Sequence, residues 1–187
     1  MTVTGEPGDG IGGTAWLTVV ETYEAFFRRE YPRLVTLART LSGSPEHAED
    51  IAQDAMVVAY RRWDEIVRME FPAAFVRRTC ANLAVSASRR RWAEGRALLR
   101  LATRRDPLPG MPTEDERFWA EVRRLPDKQA KAVALHYGCD LPIAEVAAVL
   151  GTTDGTVKTH LHRARIALAA RFGDDAGSES SIAEVAS

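Results

Sequence analysis

Cysteine is scarce in this sequence, since only Cys80 and Cys139 occur among its 187 residues. Neither lies in a CxxC pair or at a Cys/His spacing that could assemble a zinc site. Both fall within stretches of helical apolar periodicity, which favours small buried side chains. The sequence therefore predicts no metal site and no cofactor.

Long apolar runs are also lacking. No window approaches the ~20 apolar residues that a membrane-spanning helix needs. The N-terminus lacks the charged start and apolar run of a signal peptide, so we expect a cytoplasmic protein without membrane insertion. An enzyme is the least favoured class, because the sequence has no acid/base pair, activated nucleophile or glycine-rich phosphate loop.

The net charge is small, at −1, but the charges are distributed in blocks. Residues 1–70 carry 7 basic and 12 acidic side chains, whereas residues 71–105 carry 9 arginines and the single acid Glu94. Residues 126–172 have a net charge of +2, and the tail from Gly173 has −4. The near-zero sum therefore hides a strongly basic segment that follows an acidic one.

The apolar residues recur at helical spacing and no strand pattern occurs, which predicts an all-α fold of two small helical domains joined by an extended, proline-rich linker. Three prolines and one glycine between Asp106 and Pro112 forbid a regular helix there. The glycine-rich start and the acidic, serine-rich end predict disordered termini. The expected bounds are 1–17 for the disordered start, 18–95 for the first domain, 96–113 for the linker, 114–172 for the second domain and 173–187 for the tail.

Three helices are expected in the first domain. The first spans Glu21 to Ser42, with Pro32 as an interruption or as the start of a second helix. The second begins at Pro45 after the N-cap Ser44 and continues to about Val67. The third begins at Phe71-Pro72 and has a predicted inward stripe of Phe75, Thr79, Leu83 and Ala87. Trp63, Phe71 and Phe75 are expected in the core of the domain.

The second of these helices has a polar face on the side away from its apolar residues. Helical spacing brings its members together: Asp50, Gln53, Asp54 and Val57. Such a face is either solvated or a docking surface for a basic protein partner, and the helix alone leaves both interpretations open.

The third helix has a basic outward stripe, formed by Arg78, Asn82, Ser86 and Arg89 and continued by Arg90, Arg91 and Trp92. Arginine and asparagine beside an exposed aromatic ring suit contacts with phosphates and with unstacked bases of a single strand. The alternative is a solvated basic helix with Trp92 as a core anchor.

A helix-turn-helix is predicted between Leu141 and Leu168. Gly151 ends a short apolar-faced helix, and the Thr153 hydroxyl suits the N-cap of the next helix because it can accept the Thr156 N–H. Residues with small, hydrogen-bonding or cationic side chains lie opposite the apolar stripe of the second helix, where they can enter a major groove: Gly155, Lys158, Thr159, His162 and Ile166, with Arg163 and Arg165 at the edges. The alternative is a plain helical hairpin with a solvated face.

Three short strings in this order are similar to motifs of the extracytoplasmic-function (ECF) sigma factors. Ala48–Asp54 (AEDIAQD) resembles the AEDLVQE-type segment of the family, and Leu125–Gln129 (LPDKQ) resembles the LPxxQ opening of its region 4. Gly155–Arg165 (GTVKTHLHRAR) resembles the GTVKSRLHRAR signature of the same region. The similarity spans roughly Tyr23 to Phe172, with region 2 followed by region 4.

The resemblance implies a function in transcription initiation. It implies binding to core RNA polymerase, at the β′ clamp and the β flap, and to promoter DNA, with an anti-sigma factor as a further candidate partner. Asp50, Gln53, Asp54 and Val57 would hold polymerase, while the melted −10 element would be bound by Arg78, Asn82, Ser86, Arg89, Arg90, Arg91 and Trp92. The −35 element would be read by Gly155, Thr156, Lys158, Thr159, His162 and Arg163.

The chain departs from the family pattern at three places. Ser86 stands where relatives often have Asp, and His160 stands where the signature has Arg. Cys139-Asp140-Leu141-Pro142 replaces the more usual Gly-Leu/Tyr-Ser opening of the helix-turn-helix. The first two departures concern the choice of promoter sequence. The third concerns the position at which the first helix of the helix-turn-helix begins.

Two other classes remain as alternatives to a sigma factor. A stand-alone helix-turn-helix regulator would bind duplex DNA by itself, as a dimer assembled through its N-terminal helices. A helical adaptor without a DNA role would leave the arginine stripe and the recognition face unexplained.

Overall fold

A computed structural model describes residues 21–101 and 113–183 of the chain, and these contain helices and turns but no strand, as the all-α prediction requires. The expected disordered start, the proline-rich part of the linker and the last residues of the tail lie outside the described residues. The helices are α1 (Tyr23–Ser42), α2 (Pro45–Arg61), α3 (Trp63–Ile66), α4 (Pro72–Leu101), α5 (Glu114–Val122), α6 (Asp127–Val133), which continues into a π-helical turn (Ala134–Gly138), α7 (Ile143–Leu150) and α8 (Asp154–Ala183).

The N-terminal domain is built from α1, α2 and α4, which pack against one another around an apolar core. Each large aliphatic or aromatic side chain removed from water contributes about 1.5–3 kcal/mol. The core side chains of this domain are Phe26, Leu34, Leu37, Ala38, Leu41, Ala48, Ile51, Ala52, Ala55, Met56, Ala59, Ile66, Val76, Cys80, Ala81 and Ala84.

The prediction that Pro32 interrupts the first helix or begins a second one is wrong, because Pro32 lies inside the continuous helix α1. Proline has no N–H, and the helix therefore loses the backbone hydrogen bond to the carbonyl of Arg28. Leu34 and Leu37 follow it in the core with 0% and 1% exposure. Packing against α2 and α4 holds α1 continuous despite the lost hydrogen bond.

The second expected helix is divided in two. It begins at Pro45 after the N-cap residue Ser44, as predicted, although the Ser44 hydroxyl contacts His47 Nδ1 at 2.8 Å and caps no backbone N–H. Instead of continuing to Val67, α2 ends at Arg61, and Arg62 leaves the helical region with φ −123° before α3 begins.

The predicted inward stripe of α4 is wrong by one position. Its members, Phe75, Thr79, Leu83 and Ala87, are half-buried, whereas the buried residues are Val76, Arg77, Cys80, Ala81, Ala84 and Ser88. The reason is that α4 contacts α1 and α2 on one side and α7 on another, so two flanks of the helix are partly covered. Phe71, expected in the core, is 56% exposed at the start of the helix.

Two helices continue beyond the positions expected for the ends of their domains. The α4 helix reaches Leu101, past residue 95, and α8 reaches Ala183, past Phe172. Neither extension contains a proline, the residue that most strongly ends a helix.

The C-terminal domain is formed by α5 to α8 around a second part of the core. A capping box starts α5: the Thr113 hydroxyl accepts the Glu116 N–H at 3.2 Å, and the Glu116 carboxylate accepts the Thr113 N–H at 2.9 Å. The buried apolar side chains are Val122, Leu125, Ala130, Ala132, Val133, Ala134, Leu135, Leu141, Val146, Ala147, Val149, Val157, Leu161, Ala164 and Leu168.

The two domains lie against each other, with the π-helical turn on α1 and α7 on α4. Gly138 permits this approach, because a Cβ atom at that position would lie 3.2 Å from the Trp119 ring and 3.4 Å from Thr40 Cγ2 of α1. The contact between the domains therefore fixes the position of α4 relative to the C-terminal domain that contains α8.

Candidate functional site

The predicted docking face lies on α2, on the side away from the core. Asp50, Gln53 and Asp54 are exposed, as is Val57 at 45%. Their exposure follows from the burial of Ile51 and the alanines of α2 on the opposite side. The structure brings the four predicted residues together on one surface.

Two aromatic residues that were not predicted from the sequence as part of the docking face adjoin it. Tyr60 follows Val57 at helical spacing and is 66% exposed. Tyr31 of α1 stacks on Phe27, with ring centroids 4.8 Å apart, and its hydroxyl lies 3.5 Å from the Gln53 amide nitrogen. Tyr60 could have been predicted from the sequence, because it lies three residues after Val57 on the same helix. Tyr31 could not, because only the packing of α1 on α2 places it beside the docking face.

The basic stripe of α4 is turned towards the C-terminal domain. The Arg78 guanidinium donates to the carbonyl of Val149 at 2.6 Å and to that of Ala148 at 3.0 Å, at the end of α7. Asn82 Oδ1 accepts a hydrogen bond from Lys131 Nζ at 2.5 Å. All four stripe residues nevertheless remain exposed: Arg78, Asn82, Ser86 and Arg89.

The arginine run ends the stripe beside Trp92. Arg89 pairs with Asp127 of α6, with 2.5 Å between Nη2 and Oδ1. Trp92 is 43% exposed, which contradicts a role as a core anchor, and the Arg124 guanidinium lies 5.3 Å from the centre of its ring. This part of α4 borders a cleft of about 740 Å³ between the two domains. Arg90 is exposed and Arg91 is half-buried.

The helix-turn-helix forms as predicted. Gly151 ends α7 with φ +64°, a conformation that glycine adopts without strain. The Thr153 hydroxyl accepts the Thr156 N–H at 3.3 Å and so caps α8. The stripe Val157, Leu161, Ala164 and Leu168 is buried.

The opposite face of α8 is exposed over its first three turns. Its exposed residues are Gly155, Thr156, Lys158, Thr159, His162, Arg163, Arg165 and Ile166. The Thr159 hydroxyl donates to the Gly155 carbonyl at 2.9 Å, so its oxygen remains an acceptor for a ligand. This face therefore presents cations, hydrogen-bonding groups and a small residue to one side, as a groove-binding helix requires.

His160 lies at the side of this face, with its Nδ1 atom buried and without a hydrogen-bond partner. Burial lowers the pKa of the imidazole from its ordinary value, and the positive charges of Lys128 and Arg163 lower it further. The imidazole is therefore held neutral beside the recognition face, where the family signature has an arginine.

Within residues 21–101 and 113–183, no cluster of three His, Cys, Asp or Glu side chains could hold a metal ion. None of the described helices is long and apolar enough to span a membrane.

Both halves of the chain match models of one family. Residues 26–94 match the model of Sigma-70 region 2, and residues 115–168 match that of Sigma-70 region 4. The RNA polymerase sigma-E factor of Streptomyces avermitilis is 31% identical over 148 residues, which cover 76% of this chain and 80% of that protein. The ECF RNA polymerase sigma factor SigM of Mycobacterium tuberculosis is 33% identical over 159 residues, covering 81% of this chain and 77% of SigM.

The chain belongs to the ECF sigma factor family. The identification made from the three strings is thereby confirmed. An ECF sigma factor binds RNA polymerase, directs it to promoters and is not itself an enzyme. This outcome excludes the adaptor and the stand-alone regulator as the primary function.

Two solved structures share the fold of this ECF sigma factor. The sigma factor RpoE of Bartonella quintana, crystallised with the anti-sigma factor NepR, has a TM-score of 0.58 at 23% identity, covering 79% of this chain and 94% of that one. CnrH in complex with the cytosolic domain of CnrY has a TM-score of 0.61 at 22% identity, covering 82% and 88%.

Proposed function

We propose that this sigma factor docks on the β′ clamp of RNA polymerase through the exposed face of α2, formed by Asp50, Gln53, Asp54 and Val57. The observation that carries the proposal is that all four are exposed on a helix whose other side is buried, so the fold does not need their side chains. Two carboxylates beside the exposed Val57 and Tyr60 form a surface suited to a basic partner with an apolar centre.

We propose further that α4 binds the melted −10 element and that α8 reads the −35 element in the major groove. Arg78, Asn82, Ser86 and the segment from Arg89 to Trp92 supply cations, an amide and a partly exposed ring for a single strand. Gly155, Thr156, Lys158, Thr159, His162 and Arg163 form the exposed start of α8, supported by the buried stripe beneath.

The proposal extends to the domain bounds, the contact with the β flap, the cellular location and a further protein partner. The functional domains are residues 18–95 and 114–172, joined by a linker and followed by an acidic tail, and the second domain binds the β flap. The protein acts in the cytoplasm, where its polymerase lies. Because one structure of similar fold contains the anti-sigma factor NepR, an anti-sigma factor is a further proposed partner.

Asp54→Arg tests the docking surface. The change places a positive charge where a basic partner would lie, and we expect it to abolish capture of core RNA polymerase in a pull-down while circular dichroism keeps its helical signal. Glu114→Arg, at an exposed position of α5, is the matched control and should bind normally. Polymerase capture by Asp54→Arg at the native level would remove the docking role from this face.

Lys158→Ala combined with Arg163→Ala tests the recognition face. Run-off transcription over genomic fragments with core polymerase should give discrete transcripts for the native chain. The double variant should lose most −35-dependent transcripts, because contacts to base edges and phosphates are removed. Ala169→Ser, at an exposed position later in α8, is the control. Unchanged promoter choice would contradict the −35 assignment.

A further inference from the structure

A pocket of about 330 Å³ lies where α4, α6 and the start of α8 meet. Its polar lining comes from both domains: Arg78 and Asn82 of α4, Lys128 and Lys131 of α6, and Thr156 and His160 of α8. Three of these side chains are cationic, and no Asp or Glu is among the described residues that line the pocket. The pocket therefore concentrates positive charge without a counter-charge of its own.

The cations of this pocket keep hydrogen-bond donors that the fold does not use. Lys131 Nζ donates one hydrogen bond, to Asn82 Oδ1 at 2.5 Å, although an ammonium group has three donors. Arg78 uses Nε and Nη2 for two carbonyls at the end of α7, and its Nη1 has no partner among the described residues. Lys128 is exposed, and the described part of the chain gives it no hydrogen bond or ion pair. The pocket is thus rich in donors and poor in acceptors.

His160 adds a polar atom whose hydrogen-bonding capacity is unused. Its Nδ1 atom is buried without a partner, and such atoms are few in native proteins because leaving them unpaired is unfavourable. Burial lowers the pKa of the imidazole, and the charges of Lys128 and Arg163 lower it further, so the potential at this side chain is positive. An anion in the pocket would offset that potential and could accept a hydrogen bond from the ring.

Lys131 gives independent evidence of uncompensated charge in the pocket. Burial lowers the pKa of its ammonium group, Asp127 opposes that effect, and the charge of Arg89 adds to it. The Asp127 carboxylate is itself paired with Arg89 at 2.5 Å and does not line the pocket. Burying a charge is unfavourable unless it is paired, so Lys131 would gain from an anion held beside it.

We propose that this pocket binds a small free phosphoanion, of the size of inorganic phosphate or diphosphate. Phosphate oxygens carry negative charge and accept several hydrogen bonds, which suits a lining of guanidinium, ammonium, amide and hydroxyl donors. At about 30 Å³ for each water molecule the pocket holds about ten waters, enough for such an anion and part of its hydration shell. The bound anion contacts both domains at once, so its concentration sets how firmly they are held together. This site goes beyond the promoter and polymerase contacts proposed above and does not depend on them.

Isothermal titration calorimetry of the full chain with inorganic diphosphate tests the site directly. The titration is run without Mg²⁺ and in about 0.15 M chloride, which screens non-specific attraction to exposed cations. We expect saturable binding of one diphosphate per chain. No binding at about 5 mM diphosphate, or weak binding of several anions per chain without saturation, would overturn the proposal.

Lys128→Gln tests the wall that α6 provides. The side chain is exposed, so the fold should persist, and the affinity for diphosphate should fall at least about tenfold because a charge-assisted hydrogen bond is lost. Lys158→Gln makes the same change of charge at an exposed lysine of α8 that does not line the pocket, and it should bind diphosphate as the native chain does. Equal losses in the two variants would mean that net charge, and not this pocket, attracts the anion.

Arg78→Gln tests the wall that α4 provides. It should also lower the affinity for diphosphate about tenfold, because the guanidinium supplies both charge and donors to the pocket. Arg90→Gln, at an exposed arginine later in the same helix, is the control and should bind normally. Native affinity in the Arg78 variant would confine the site to the C-terminal domain and overturn a pocket built by both domains.

The imidazole of His160 provides a readout that a merely structural role of the pocket would not move. The charged groups that line the pocket or act on this ring are Arg78, Lys128, Lys131 and Arg163, all of them cationic. Bound diphosphate should therefore raise the pKa of His160, and its proton NMR signal, assigned with His160→Gln, should titrate at higher pH when diphosphate is saturating. The same titration without a change on addition of diphosphate would overturn the placement of the anion beside this ring.

A backbone phosphate of duplex DNA would bring the same chemistry from another source. The free anion fits better, because Arg78 and Asn82 belong to α4, and the contact between α4 and α7 holds this wall against the C-terminal domain. Phosphorus NMR can follow the line width of bound diphosphate while a short duplex of mixed sequence is added. The bound signal should persist when the duplex equals diphosphate in concentration, and displacement of diphosphate by the duplex would overturn the proposal.

Discussion

His160 is one of the residues at which this chain differs from its family pattern. Its Nδ1 atom is buried without a partner, and Lys128 and Arg163 lie close enough to disfavour a second positive charge. An arginine in its place would always be charged, whereas the imidazole can be neutral at neutral pH. The substitution therefore lowers the positive charge beside the recognition face.

The lowered pKa of His160 predicts a loss of stability in mild acid. The unfolded chain binds a proton at this side chain below about pH 6.5, while the folded chain resists it. The stabilising contribution is thus complete above about pH 6.5 and is lost progressively as the pH falls from there through the lowered pKa of the folded chain. Urea unfolding between pH 8 and pH 5.5 should show a steeper decline for the native chain than for His160→Gln.

His162→Gln is the control for this experiment, because it removes an exposed histidine from the same helix. If His160→Gln left the pH dependence of the unfolding free energy unchanged, or if both variants altered it equally, the buried imidazole would not be its source.

At the scale of elements, the connection between α7 and α8 is fixed by one glycine. Gly151 has φ +64°, and a Cβ atom there would lie 2.6 Å from the Arg78 guanidinium. The same residue thus ends α7 and makes room for the arginine that caps it from α4. Gly155, by contrast, has open space around it, with only the Thr153 hydroxyl at 4.0 Å.

Gly151→Ala and Gly155→Ala should therefore change stability in opposite directions. Alanine at 151 must adopt a left-handed conformation and displace Arg78, at a cost of about 1–2 kcal/mol. Alanine at 155 lies in a helix and should stabilise it by about 0.5–1 kcal/mol. Chemical denaturation measures both values, and a loss of stability in both variants would contradict the open surroundings of Gly155.

For the whole molecule, the interface makes the two domains depend on each other. Arg123 belongs to the C-terminal domain, yet it donates to Thr40 of α1, and its side chain also fills the space beside Gly43. Burial lowers the pKa of its guanidinium, with a smaller effect from Arg91. A partly buried cation of this kind stabilises the molecule only while its carbonyl partner is in place.

Arg123→Ala should uncouple the domains. We expect the native chain to unfold in one calorimetric transition, and the variant to show two, with a loss of about 1.5 kcal/mol for the removed charge-assisted hydrogen bond. Arg165→Ala, at an exposed position of α8, should keep the single transition. One transition in the Arg123 variant would show that other contacts suffice to couple the domains.

The sequence by itself determined the helical class, the helix-turn-helix and the exposed faces of α2 and α8. These features are local: Ile51 and Ala55, or Val157 and Leu161, fall on one side of a helix, and the residues between them must face away. Gly151 ends α7 and Thr153 caps α8, and both roles were predicted because glycine and threonine are preferred at these helix ends.

Only the tertiary structure decided which flank of α4 is buried and where its basic stripe points. An arginine in sequence reads as a surface residue, and Arg77 became buried because Glu30, 47 positions earlier, and Glu145, 68 positions later, meet it there. Pro32 inside α1 is likewise explained by the helices packed around it. Such pairings between residues far apart in the chain leave no periodic trace, because they depend on how whole helices and domains come together.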